Sequence, residues 1–443
     1  MTTREPNQHL ERLYRETGWT LRQFVQAVNR IGTERGTPVQ YREQSAHQWL
    51  KGYVPKESAR PLVLEALARK LRRIITPSAA GFPERMGGPD EQATSSTIEG
   101  IIDLGSQDVS PSRRSVIGAS LFSAALAIPD WPDIVGRMES AQSGGVSRIG
   151  MPDVSMVVKM TDRLSELDDQ FGGRHARPMA AAFLVNTVAP YLRADAPEEV
   201  RRSMMSAAAF HCYLTGWMAV DEGLHGLAQR YYVKGLELAG ASGDRMTYCH
   251  ILRGMSGQAV DLGHGVTAAR LANAAATASP SAEPRMKAFM AGQQAHSFAM
   301  AGERANALRS LQEAEKAMSK AESQAGTFGG YSTATLAYHD AQVRYELGDV
   351  PGSVTSLKMH FRLRDSTDSQ VTALRFGSML AERQLEMGHL EAACKTWDHV
   401  LDQYPSMNSD RVDRHVRSIA PLLSPYRANA TARETWDRAG QAA

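Results

Sequence analysis

Apolar positions along this chain recur at helical spacing almost throughout, and their grouping separates a short helical region, a weakly patterned stretch and a long helical region. In "HLERLYRETGW" Leu10, Leu13 and Tyr14 share a face before Gly18 ends the run. Thr20 then caps "TLRQFVQAVNRIG", in which Leu21, Phe24, Val25 and Val28 form an apolar stripe while Arg22, Gln23, Gln26 and Asn29 face elsewhere. After a polar connection comes "YREQSAHQWLKGYVP", with Ala46, Trp49 and Leu50 inward and Gly52 as terminator. Arg42, Glu43, Gln44, His47, Gln48 and Lys51 are left pointing outward. A fourth helix, "ESARPLVLEALARKLRRI", offers Leu62, Leu64, Leu67, Ala68 and Leu71 to complete a small core.

From about residue 150 one skeleton repeats five times. Small residues stand at Gly216, Ser256, Ala295, Ala341 and Ala381, and seven positions later come Gly223, Gly263, Gly302, Gly348 and Gly388. Twelve positions after the first set are Ala228, Ala268, Ala307, Ser353 and Ala393, followed four later by Tyr232, Ala272, Leu311, Leu357 and Trp397. Small residues let two antiparallel helices approach, the glycine turns the chain, and the last position fills the gap. Such a hairpin cannot bury its apolar faces alone, so stacked units form a solenoid. The pattern resembles tetratricopeptide repeats, most closely in "GWMAVDEGLHGLAQRYYVKGLELA" and "LAERQLEMGHLEAACKTWDHVLDQYP", with intervals of 40, 39, 46 and 40 residues that exceed the usual pitch. Helices near 153–171, 176–214 and 408–440 are expected to cap the array.

The expected fold class is therefore all-α: a helix-turn-helix domain at 1–82, a flexible linker at 83–112, an apolar connecting helix at 113–149 and a solenoid at 150–443. The linker assignment rests on Gly, Pro, Ser and acidic residues with little periodicity beyond Ile101-Ile102-Asp103-Leu104. The connecting segment, "SRRSVIGASLFSAALAIP", has twin arginines, Arg113 and Arg114, before a run from Val116 to Ile128. It resembles an export signal but follows a basic helical domain, and it is too short to span a bilayer. A buried helix with Ile117, Leu121 and Ile128 inward is the favoured reading; a signal remnant without export and true membrane contact are the alternatives.

Composition adds three constraints. The 443 residues are 42% apolar and 22% charged, as in a globular protein of two or three domains. Three scattered cysteines, Cys212, Cys249 and Cys394, make neither a disulfide framework nor a metal motif and suit a reducing cytosol. The net charge of +2 conceals 14 Lys/Arg against 7 Asp/Glu in residues 1–82, with the excess of acids in the remainder. A basic module on an acidic body favours a polyanion as the first module's partner, with double-stranded DNA ahead of membrane.

The outward set on the third helix suits that partner. Gln can bond bidentately to adenine, Arg to guanine, and Glu can accept from cytosine. Lys51, Arg22 and Gln23 are placed to meet phosphates. Residues 10–82, and "SAHQWLKGYVP" above all, resemble the repressor/Cro-type (XRE) helix-turn-helix of actinobacterial, Streptomyces-type regulators. The resemblance puts Glu43, Gln44 and Gln48 on base-reading positions. The connection "RIGTERGTPVQ" is longer than that family's turn, and Leu21 replaces a common polar residue. The competing reading is a helical protein-interaction domain whose polar face is merely solvated.

The long region carries no HExxH, no phosphate-cradling glycine loop and no nucleophile elbow, so no catalytic role, cofactor or metal is expected. His211, His225, His250, His264, His296 and His339 are read as structural in preference to concave-face ligands. Tyr331, Tyr338 and Tyr345 stand seven apart, where packing is favoured; Tyr331, Tyr338 and His339 are the candidates should a ligand platform exist. Taken whole, the chain resembles XRE-type regulators with a tetratricopeptide-like sensor domain. That implies a cytoplasmic, homodimeric transcription regulator of development or secondary metabolism, its solenoid binding a peptide, small-molecule or protein signal, with no membrane partner. The alternative is a scaffold or adaptor that binds other proteins and touches membrane through the twin-arginine segment.

Overall fold

In each of the five repeat units the glycine seven residues after the small position adopts a left-handed conformation, with φ of 74° at Gly223 and Gly263, 79° at Gly302 and Gly388, and 86° at Gly348. Its N–H donates three residues back and the next N–H donates five back: Gly263 to the Val260 carbonyl and His264 to that of Ala259, for example, at 2.9 and 2.8 Å. This is the Schellman ending, which satisfies the last carbonyls of a helix and reverses the chain. The same pair of bonds closes the first helix of all five units.

These features belong to a computed structural model, which describes residues 6–34, 39–56, 59–71, 75, 78–82, 97–109, 148–278, 282–321, 331–365 and 368–442. The chain is all-α, and no β-strand occurs among the described residues. The N-terminal domain comprises α1 (Gln8–Thr17), α2 (Leu21–Glu34), α3 (Glu43–Leu50), α4 (Arg60–Leu71) and a 3-10 turn (Ser78–Ala80). Next come α5 (Thr97–Val109), α6 (Met151–Phe171) and α7 (Gly173–Phe183), the last running through a π turn (Leu184–Val188) into Ala189–Arg193. The hairpins are α8 (Glu198–Asp221) with α9 (His225–Ser242), α10 (Arg245–Asp261) with α11 (Gly265–Ala278), and α12 (Pro284–Met300) with α13 (Arg304–Met318). They continue as α14 (Thr333–Glu346) with α15 (Val350–Leu363) and α16 (Gln370–Glu386) with α17 (Leu390–Gln403), before α18 (Asp410–Leu423) and α19 (Ala430–Ala442) end the chain.

Close approach within the hairpins follows the repeat. Ser256, Ala295, Ala341 and Ala381 are fully buried, as are Ala228, Ala268, Ala307, Ser353 and Ala393. At Gly216 a Cβ would stand 2.8 Å from the Tyr232 ring, so the ring occupies the volume that a side chain would need. Where serine holds either position it bonds the facing helix: Ser256 Oγ donates to the Ala268 carbonyl at 2.9 Å and Ser353 Oγ to that of Ala341 at 2.6 Å. Trp397, the largest filler, is fully buried.

Three expectations need correction. The stretch 176–214 is not one helix, because the chain turns extended at Ala194, and Pro197 caps α8, itself the first helix of the first unit. In α4 the buried apolar positions are Leu62, Val63, Ala66, Leu67 and Ala68, whereas Leu64 and Leu71 are only half-buried. The assigned linker 83–112 contains α5, which packs Ile98, Ile101 and Leu104 into the solenoid core. Helix propensity hid it, since Gly100 and Gly105 weaken an isolated helix. Gly105 is instead a contact point, where a Cβ would meet Val185 and the Ala181 carbonyl. The twin-arginine segment, Arg113 to Ile128, lies outside the described residues.

A buried ion network pins α5. Arg177, 1% exposed, pairs with fully buried Asp108 and bonds Glu222 through Nε at 2.6 Å and Nη2 at 3.2 Å. Tyr231 donates its hydroxyl to Asp108 at 2.9 Å. Removing one partner leaves a buried group with unmet charge, which costs about 3 to 5 kcal/mol. Asp108→Ala should therefore lower unfolding free energy by about 3 kcal/mol and expose 97–109 to limited proteolysis; unchanged denaturation and cleavage would contradict the docking of α5.

Candidate functional site

The outward face of α3 is set by a core aromatic. Trp49 is 6% exposed and meets Phe24 edge-on at 6.3 Å and Tyr41 at 5.1 Å, which fixes the rotation of α3 about its axis. With Ala46 also buried, the opposite side of α3 turns outward. Glu43, Gln44, His47 and Gln48 on the helix, N-cap residue Arg42 and C-cap residue Lys51 are all exposed. Arg22 and Gln23 are exposed on the first turn of α2. Gln23 has a structural duty as well: its Oε1 accepts from Thr20 N–H at 2.9 Å while its own N–H donates to Thr20 Oγ1 at 3.3 Å, a reciprocal capping box. The α3 acid is not isolated, for Tyr14 is raised by burial and by the nearby Glu43 carboxylate.

Sequence reasoning assigned Asn29 only a direction, yet it positions α3. Its Nδ2 donates to the Tyr41 carbonyl at 2.9 Å and its Oδ1 accepts from Tyr41 N–H at 2.8 Å. The long connection between α2 and α3 is thus fastened where it re-enters the domain. Asn7 closes the other side, with its N–H donating to the Leu50 carbonyl at 3.0 Å and Nδ2 to that of Ala80 at 2.9 Å.

The second candidate region is the inner face of the solenoid, and here the tyrosine platform does not form. Tyr331 precedes α14, is 1% exposed, stacks on Phe289 at 4.7 Å and bonds the His339 ring at 3.0 Å. His339 is buried with it. Tyr338 is half-buried and stacks on Phe376 at 3.8 Å. Tyr331 and His339 are core groups, because α12 and α14 approach over Gly292, where any side chain would collide with both.

The chemistry on this face comes from residues the repeat register could have located. Positions one after the small residue are Trp217, Gly257, His296, Gln342 and Glu382; those three before it include Tyr213, Arg253 and Tyr338. Asp261 accepts from Arg375 Nη2 at 3.3 Å and Arg411 Nη2 at 2.5 Å. Burial raises its pKa, but the two guanidiniums outweigh this and hold it down at about 2. Arg411 lies 4.8 Å over Trp217, and Arg253 lies 4.1 Å over Phe289 while donating to the Tyr213 hydroxyl at 2.7 Å. Arg411 opens α18, so the last hairpin reaches the middle of the array. Asn408 N–H donates to the Phe171 carbonyl at 2.8 Å, and Ser409 donates to Asp221 at 2.7 Å, which joins the end of the solenoid to its beginning.

The buried histidines are structural. His211 contacts Thr161 Oγ1 and the Ala180 carbonyl, both at 2.9 Å, and burial lowers its pKa to about 4. Burial also lowers His296 to about 4 and pushes His250 and His339 well down. These rings titrate near ~6.5 when unfolded. Between about pH 6.5 and 4 the unfolded state then binds more protons, so stability rises with pH across that window and is lost on acidification. The melting temperature should fall steeply between those values, and His211→Gln should flatten the profile; a flat wild-type profile would contradict it. Asn29→Ala should cost about 1 to 3 kcal/mol, since two backbone groups lose their partner. It should also loosen α3 with every outward residue intact, as faster amide exchange across Glu43–Leu50 would show.

Residues 10–83 match the family model described as the SP15 N-terminal domain, a span that takes in most of α1 together with α2, α3, α4 and the 3-10 turn. No curated protein matches the chain.

Proposed function

We propose that this protein is a sequence-specific DNA-binding transcription regulator in which α3 reads bases and the solenoid receives a signal. The observation that carries the reading is the exposed face of α3, where Gln44, Gln48, Glu43 and His47 stand free of the core that Trp49 and Ala46 anchor. A helix presenting acidic and amide groups in its first turn, Glu43 and Gln44, and imidazole and amide groups one turn on, His47 and Gln48, suits the major groove, and Arg42, Lys51, Arg22 and Gln23 suit its phosphate borders. The excess of Lys/Arg in residues 1–82 supplies the field that attracts DNA.

The solenoid would take a peptide, small molecule or protein and change DNA occupancy through differential affinity for two arrangements of the chain. A homodimer would set two recognition helices on half-sites about one helical turn apart. Exposed Met156, Met160 and Phe171 on one side of α6 offer that dimer an apolar surface, and the same residues favour the rival reading, an adaptor that binds other proteins. Among the described residues no helix is long and apolar enough to cross a membrane. The reading places the protein in the cytoplasm.

Selection from a random duplex pool separates the two. A recurrent bound sequence is expected, with affinity falling steeply between 50 and 200 mM salt, on the order of 10³-fold or more if six or more phosphates are contacted. Gln44→Ala and Gln48→Ala should each remove about 1 to 3 kcal/mol of discrimination while leaving weak general binding. No enriched sequence, or unchanged preference in both variants, would overturn the assignment of α3.

A further inference from the structure

Gly257 leaves a gap in the inner face of the solenoid. It occupies the register that Trp217 and His296 hold in neighbouring units, and a Cβ there would approach only Gln293 Oε1 at 3.8 Å and Trp217 at 4.0 Å. Arg253 lies one helical turn before Gly257 and Asp261 one turn after it, on the same face of α10. Trp217 and Gly257 are only half-buried, so solvent reaches the gap.

Cations crowd this gap. Arg253, Arg375 and Arg411 are 9%, 7% and 6% exposed, and among the described residues the Nε of each has no hydrogen-bond partner. Among the described residues Asp261 alone forms ion pairs with Arg375 and Arg411, while Arg253 hydrogen-bonds only the neutral Tyr213 hydroxyl. Asp221 is the next acid, and its oxygens accept from Gly173 N–H and the Ser409 hydroxyl. Burial and the neighbouring Asp221 push the Asp168 carboxyl well up, while Arg411 opposes the shift. A guanidinium cannot shed its proton, and a buried cation with unused donors is costly without a counter-charge. Planar donor edges suit carboxylate or phosphate, and Trp217 and Phe289 supply flat apolar surface beside them.

We propose that this chamber binds a small organic anion, a carboxylate or phosphate on a flat apolar body, with the anion on the guanidinium groups of Arg253 and Arg411 and the body against Trp217 beside Gly257. The proposal rests on the reading of the solenoid as the signal-receiving half and names its ligand class. A small ligand is favoured over an extended peptide because Arg411 already covers Trp217, and residues 408–409 bond to Phe171 and Asp221 across the inner face.

Calorimetric titration of the full chain with phenyl phosphate, phenylacetate and neutral phenylacetamide tests it. One or both anions should bind at least about ten-fold more tightly than the amide, and which of the two binds better separates phosphate from carboxylate. Arg253→Gln should weaken the anion about ten-fold or more. Gly257→Leu, which fills the gap with a better helix former, should abolish binding while helix content and melting temperature hold. Equal affinity for anion and amide, or wild-type affinity in both variants, would overturn the proposal. Anion binding without any change in DNA occupancy would keep the chamber and discard the sensor reading; selective DNA binding with no anion affinity would discard the chamber and keep α3 as the base-reading helix.

Discussion

The structure depends on a backbone constraint: five times, a helix must end in a left-handed residue so that the next helix returns at close range. Only glycine enters that conformation without steric cost, and only small residues then allow the two helices to touch. Gly223, Gly263, Gly302, Gly348 and Gly388 meet the first demand, and the fully buried Ser256, Ala295, Ala341 and Ala381 the second. Because the turn is the same in each unit, the first helices stack in register and present matched positions to one interior. The inner-face chemistry is a consequence of that registry and not a separate motif.

Registry also explains why charge can be buried there. An Arg–Asp–Arg arrangement drawn from α10, α16 and α18 needs three helices distant in sequence to arrive at one point, and such an arrangement is costly to desolvate. The hydrogen bonds of Asn408 and Ser409 to the start of the solenoid hold the last hairpin where Arg411 can reach Asp261. A repeat array that is ordinarily quasi-one-dimensional acquires long-range contacts between its ends, so its stability is no longer a sum of neighbouring terms.

Legibility in the sequence followed the range of the interaction. Local signals served well: Gly18 and Gly52 end helices with positive φ, Thr20 and Gln23 cap α2, and the glycine offset marks every hairpin turn. Signals that depend on distant partners failed. Helix α5 has two glycines and little propensity, and it exists because Asp108 meets Arg177 and Tyr231, 69 and 123 residues away. Tyr331 and Tyr338 share a seven-residue interval but not a helix, since α14 begins only at Thr333. Asn29 passed as a solvent-facing polar residue because its partner, the Tyr41 backbone, lies across a connection whose path no local rule gives. The alignment of repeats held one unread clue, since the column after the small residue contains Trp217 and Gly257 and the column three before it contains Arg253.

The proposed nucleic-acid contact falls on α3 and the first turn of α2 and not on the acidic solenoid. Hydrogen exchange of the full chain, with and without a selected duplex, measures this directly. Protection should concentrate in residues 42–51 and the first turn of α2, with the inner faces of α10, α12 and α16 unchanged. Protection of the solenoid helices with none at α3 would contradict the account.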